Sequence, residues 1–200
     1  YEIMPSLVGS EMCIRDSCLT LLPTAALAEG AGTVSYLNFC VDAPTSVTEY
    51  RIKGGGTAKW EPGSNSVQNK LTLNGVTMSD EYNVLKVPAN TEIILTGANK
   101  ITATGGTAIW AQGGPLKISG AGSLEVTAPS GQNALWSNTS SIDVNITGAL
   151  TVNGNIRAEE GILSLQSNDA ISVTGSMYGK QKITATAGKS LNITNTSGTA

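Results

Sequence analysis

Apolar residues in this chain fall in short runs, separated at near-regular intervals by polar residues and glycine. One set of runs is LTL at 71–73, IIL at 93–95, LKI at 116–118, VNI at 144–146 and LSL at 163–165. A second set starts at Val76, Ile101, Leu124, Leu150, Ile171 and Leu191, at intervals of 25, 23, 26, 21 and 20 residues. A third is VLKV at 84–87, AIWA at 108–111, ALWS at 134–137 and IRAE at 156–159, with Met177 as its continuation. Alternating or continuous in apolar residues, each run reads as a short strand. The chain therefore repeats a unit of three strands every 20 to 26 residues.

Between the first and second strands a polar residue precedes glycine: Asn74-Gly75, Thr96-Gly97, Ser119-Gly120 and Thr147-Gly148. Glycine takes the positive φ of a tight corner without a Cβ clash. A unit this small cannot bury both faces alone and must stack on its neighbours. Stacking at about 4.8 Å between strands predicts an all-β fold, a right-handed parallel β-helix of three strands per coil and about five to six coils. Leu, Ile and Val would fill it, with Thr, Ser, Asn and Lys outside. A leucine-rich repeat would need a recurring Asn or Cys and a helical segment, and neither recurs. A β-sandwich gives no reason for units that align.

The β-helix is expected over residues 69–200. Residues 29–68 stand outside the repeat and carry Tyr36, Phe39, Tyr50, Trp60, a Gly54-Gly55-Gly56 loop and a Pro62-Gly63 turn. They are expected to form an N-terminal cap over the open end of the solenoid. The sequence stops at Ala200 just after a strand pattern. The expectation is a metagenomic fragment, truncated at both ends. Residues 1–17, YEIMPSLVGSEMCIRDS, resemble translated sequencing-adapter read-through and are set apart from the fold.

Residues 18–28, CLTLLPTAALA, read as the back half of a signal peptide cleaved after Ala28. The apolar run is about half the roughly twenty residues that a membrane-spanning helix needs. The mature part is expected to be secreted or held at a bacterial cell surface. It retains only Cys40, so no disulfide framework forms, and with no His or basic cluster adjoining it the thiol is expected to be buried and inert.

Composition narrows the chemistry. The chain has no His, which removes Ser-His-Asp and Cys-His nucleophiles and His-ligated zinc. Its 12 Lys and Arg against 15 Asp and Glu, net -3, lack the basic field that nucleic-acid binding needs. The carboxylates of the repeat, Asp80, Glu81, Glu92, Glu125, Asp143, Glu159, Glu160 and Asp169, are mostly isolated. The adjacent pairs Asp80-Glu81 and Glu159-Glu160 would face opposite ways on a strand, so neither is a ready-made acid–base site. No catalytic residues are assigned and no cofactor is expected. Calcium bound by loop carboxylates is the one metal reading left open.

The third strand carries the informative constellation. Its apolar anchors are Leu85, Ile109, Leu135 and Ile156, with Met177 next. The residues that follow them are Lys86, Trp110, Trp136, Arg157 and Tyr178. Side chains alternate along a strand, so this second column faces away from the anchors, and its cations place that direction in solvent. Two indoles and a phenol in a row would make a platform for sugar rings, with Lys86 and Arg157 beside it to meet uronate carboxylates or sulfates. Two other readings stand: the indoles stack on each other as a ladder, or the register slips by one and both join the core.

The stretches LTLNGVTMS and VPANTEIILTGANKITATGGTAIWAQGGPLKISGAGSLEVTA resemble the β-helical carbohydrate-binding domain of secreted proteins from clostridia and related gut bacteria. The likeness spans about 60–175. It implies a fold like that of polysaccharide lyases without an established lyase site, and binding of cellulosic or pectic polymers, sometimes with calcium. It supplies no named ligand residue; the aromatic column comes from the register alone. The expected function is a secreted, non-catalytic, polysaccharide-binding module. A structural or adhesin stalk is the alternative, and a polysaccharide lyase stands behind both.

Overall fold

The structure, a computed structural model, describes residues 32–64 and 67–195. The readings of residues 1–17 and 18–28 lie outside the described residues. Those described form twenty strands and no helix, in three sheets: sheet I of eight strands, and sheets II and III of six each. The chain runs through sheet I, sheet II and sheet III and then rises one level. The first coil is Asn69–Asn74, Thr77–Asp80 and Leu85–Pro88, and the second is Thr91–Thr96, Ala98–Ala103 and Ile109–Gln112. Three further coils follow, and the last described turn is Lys182–Ala187 and Leu191–Thr194. Successive coils pair in parallel throughout. This is the β-solenoid of three strands per coil that the repeat predicts.

The interior is made of columns. In sheet III, Leu37, Leu85, Ile109, Leu135, Ile156 and Met177 are register partners from coil to coil. In sheet I, Leu71, Ile93, Ile118, Val144 and Leu165 do the same, all at most 1% exposed. Aliphatic side chains stacked one coil apart remove a continuous apolar strip from water, the main favourable contribution to the fold.

Sheet II departs from the expected alignment. Ile101 pairs with Met78 and Val126, while Leu124 pairs with Asn99 and Leu150. The column of strand starts is therefore broken in the second coil, where Asn99 takes the inward place. Its amide is 2% exposed, accepts from the Val76 N–H at 3.1 Å, and donates to the carbonyls of Thr96, Gly97 and Ser123 at 3.0, 3.2 and 3.3 Å. A buried polar side chain is stable here because every part of it is bonded to corner backbone.

The corner glycines shift in the same way. Gly75 and Gly97 have the expected positive φ, 59° and 66°. Gly120 also has the expected positive φ, 118°, but it is a strand residue opposite Leu95, and a Cβ there would lie 2.3 Å from the Leu95 carbonyl oxygen. Gly122 faces Gly97 at the corner itself, where a Cβ would meet the Gly97 carbonyl oxygen at 2.5 Å.

Before the first coil, Leu37–Asn38 adds a parallel strand to sheet III beside Leu85–Pro88. Thr48–Arg51 and Thr57–Glu61 form an antiparallel hairpin, and its second strand pairs antiparallel with Asn69–Asn74. Phe39 and Trp60 stack at 4.3 Å and 10°, and the Trp60 Nε1–H donates to the Pro44 carbonyl at 2.9 Å. Trp60 is 1% exposed and joins the same core as the coils. In the last described turn, by contrast, Ile183, Leu191 and Ile193 are 45%, 49% and 45% exposed.

Candidate functional site

Sheet III brings the predicted constellation together. Lys86 is opposite Trp110, Trp110 opposite Trp136, Trp136 opposite Arg157, and Arg157 opposite Tyr178. Asn38 extends the column on the other side of Lys86. The flanking anchors are buried, so this column is the outer wall of the solenoid. It spans four intervals of about 4.8 Å, or roughly 19 Å.

The side chains engage one another along it. The Trp110 and Trp136 rings stack with centroids 4.8 Å apart and planes at 21°. The Lys86 ammonium sits 4.0 Å from the Trp110 ring centroid, and the Arg157 guanidinium 5.1 Å from that of Tyr178. Stacking between coils uses the ring faces, so the two indoles stand with their planes across the solenoid axis and turn their edges to solvent. Both are half-buried, whereas Tyr178 is 43% exposed and Arg157 is exposed. The flat, exposed platform expected of the indoles is thus a ladder on the outer wall, and neither indole is sealed in the core.

Glu159 ties the far half of the column together. Its Oε1 accepts from the Trp136 Nε1–H at 3.3 Å and from the Arg157 Nε–H. The hydrogen bond from Arg157 holds the Glu159 carboxyl below the usual glutamate range, against the opposing effect of burial. The sequence shows Glu159 only as half of the adjacent pair Glu159-Glu160, with no part in the column. Yet in the run IRAE its spacing of two from Arg157 predicts a shared face; the strand itself ends at Ala158, and Glu159 follows it directly. The Trp110 Nε1–H is the one buried side-chain polar atom without a partner among the described residues.

Cys40 is half-buried, and the structure places Lys86 close enough to act on it, which the sequence neighbourhood did not reveal. Burial raises the thiol pKa and outweighs the opposing pull of the Lys86 charge. The direction is that of an unreactive thiol.

The carboxylates are scattered over sheets I and II and the connecting loops, most of them with local partners. Asp80 accepts from the Ser35 hydroxyl and Glu92 from the Ser119 hydroxyl, both at 2.8 Å. Glu125 pairs with Lys100, Glu160 with Lys180 and Asp169 with Lys189. No three of His, Cys, Asp and Glu among the described residues are grouped to hold a metal ion. No helix among them is long and apolar enough to cross a membrane.

No family model, curated protein or solved structure matches the chain. The resemblance to clostridial carbohydrate-binding domains therefore rests on the quoted residues alone.

Proposed function

We propose that this chain is an exported, non-catalytic β-solenoid module that attaches to polysaccharide along the outer wall of sheet III. The observation that carries the reading is the register: Lys86, Trp110, Trp136, Arg157 and Tyr178 stand in one unbroken outward column. A column about 19 Å long suits a linear polymer lying parallel to the solenoid axis. Ring edges, the exposed Tyr178 phenol and the Lys86 ammonium offer a mixture of C–H, donor and acceptor contacts to sugar hydroxyls. Arg157 is engaged by Glu159, so it contributes a neutralised ion pair to the wall rather than a free cation.

The mutual stacking of the indoles favours a second reading, a structural or adhesin stalk in which the ladder only stiffens the coils. A lyase reading has no comparable support, since the carboxylates are spread over sheets I and II and the connecting loops. The test is retention of the full 200-residue chain on insoluble neutral and pectic polysaccharides, with and without chelator, for the parent and for W110A/W136A. Loss of retention with the double change supports the binding wall. Retention unchanged beside a lowered thermal midpoint assigns the ladder to structure alone.

A further inference from the structure

Residues 33–39 and Asp42 form one wall of a cleft of about 360 Å³, lined by Ser35, Tyr36, Asn38, Phe39, Asp42 and Tyr50 among others. That volume lies within the range of sites that hold small ligands. Its aromatic side is held in place from behind: Tyr50 meets Phe39 edge-on at 5.8 Å, and Phe39 is stacked on buried Trp60. Tyr36 is 55% exposed at the rim.

The Ser35 hydroxyl is committed to Asp80, but the other polar groups of the cleft keep bonding capacity. The Asp42 carboxylate and the phenols of Tyr36 and Tyr50 have no hydrogen-bond or ion-pair partner among the described residues. Asn38 uses its Oδ1 to accept from the Cys40 N–H at 3.1 Å, which leaves its NH₂ to donate. Burial pushes the Tyr50 phenol up, so it keeps its proton. Asn38 is also the register partner of Lys86, which makes the cleft continuous with the aromatic wall.

We propose that this cleft is a chain-end subsite that holds the terminal, uncharged sugar ring of a glycan lying along the wall. This inference rests on the polysaccharide reading above. The donor and acceptor inventory selects the ligand class: Asp42 only accepts, the Asn38 NH₂ only donates, and the phenols do either. A ring bearing several hydroxyls satisfies all of them. An ammonium ligand offers donors only and leaves the Asn38 NH₂ unmatched, while a uronate carboxylate would face Asp42.

The experiment is calorimetric titration of the full chain with a linear neutral glucan hexasaccharide and with the corresponding disaccharide. The expected result is that D42N and Y36A each weaken both ligands about tenfold or more, with the thermal midpoint unchanged because both side chains are exposed. W110A should weaken the hexasaccharide and spare the disaccharide. Hexasaccharide binding that is sensitive to W110A but indifferent to D42N and Y36A overturns the subsite and leaves the wall standing. Binding of methylammonium, lost in D42N, with no sugar bound in the cleft also overturns it, and assigns the cleft to cations. No binding of either oligosaccharide or of any polymer overturns subsite and wall together.

Discussion

Asn99 shows how a single side chain can hold three coils. It bonds the Val76 N–H of the first coil, the Thr96 and Gly97 carbonyls of the second and the Ser123 carbonyl of the third. N99A should cost about 2–3 kcal/mol, because buried backbone groups lose their partners. N99L is the sharper test, since leucine suits the column that Leu124 and Leu150 continue. It should be destabilised as well, and a thermal midpoint equal to that of the parent would show that apolar filling, not bonding, is what the position needs. Glu159 makes a pH-dependent contribution. Its folded pKa is depressed, so its contribution is present above the unfolded glutamate value of about 4.3 and fades as pH falls through the lower folded value. With Arg157 half exposed, the pair is worth under about 1 kcal/mol. Urea unfolding should find E159Q less stable than the parent at pH 7, with the difference shrinking as the pH falls below the ordinary glutamate range; a difference that stays constant as the pH is lowered would contradict the assignment.

Among the elements, sheet I fixes its register from outside as well as from within. Glu61, Lys70, Glu92, Lys117 and Asp143 are successive register partners, so charge alternates along the outer face of the strands. Opposed pairs of this kind contribute roughly 0.2–1 kcal/mol each, and like charges subtract as much. K117E sets a third carboxylate between Glu92 and Asp143 and should cost about 1–2 kcal/mol at low salt. Most of that should be recovered in 1 M salt, where screening acts within about 3 Å. K117Q is the control, and identical urea midpoints for both variants at low and high salt would remove the electrostatic account. The same elements explain what could be read from the sequence. Sheet III was legible because each inward aliphatic is followed by a bulky aromatic or a cation, two unlike columns that align in only one way. Sheet II was not, because a strand pattern of period two looks the same after a shift of two residues. Ile101 therefore aligned with Leu124 as well as Asn99 does, and only the bonding of the Asn99 amide distinguishes them. Whether the indoles lie flat or stand on edge is a matter of rotamers and neighbours, which alternation does not encode. The cleft around Asp42 draws on loop and cap-strand residues that stand outside the repeat.

For the molecule as a whole, a solenoid is close to one-dimensional, and the stability of each coil comes from itself and its immediate neighbours. Inner coils have a neighbour on both sides. The first coil has the antiparallel hairpin and Trp60 against it, while the last described turn has, among the described residues, a packed neighbour on one side only. Side chains at equivalent inward places record the difference: Leu163, Ile171 and Val173 are at most 1% exposed, whereas Ile183, Leu191 and Ile193, one coil later, are nearly half exposed. Opening should therefore begin at that end and proceed coil by coil, with amides of 182–194 exchanging well before those of 91–127. The same gradient orders the cost of truncation. L135A, at a site with no exposure and neighbours above and below, should lose about 2–5 kcal/mol. I193A should lose under about 1 kcal/mol, since much of its side chain is already in water. Exchange measured by mass spectrometry on the parent and both variants separates this from an all-or-none unit: I193A should speed exchange only in the last turn, and L135A throughout. Uniform protection from the first coil to the last, accelerated equally by either change, would mean that the coils unfold together and that the exposed turn is no weaker than the rest.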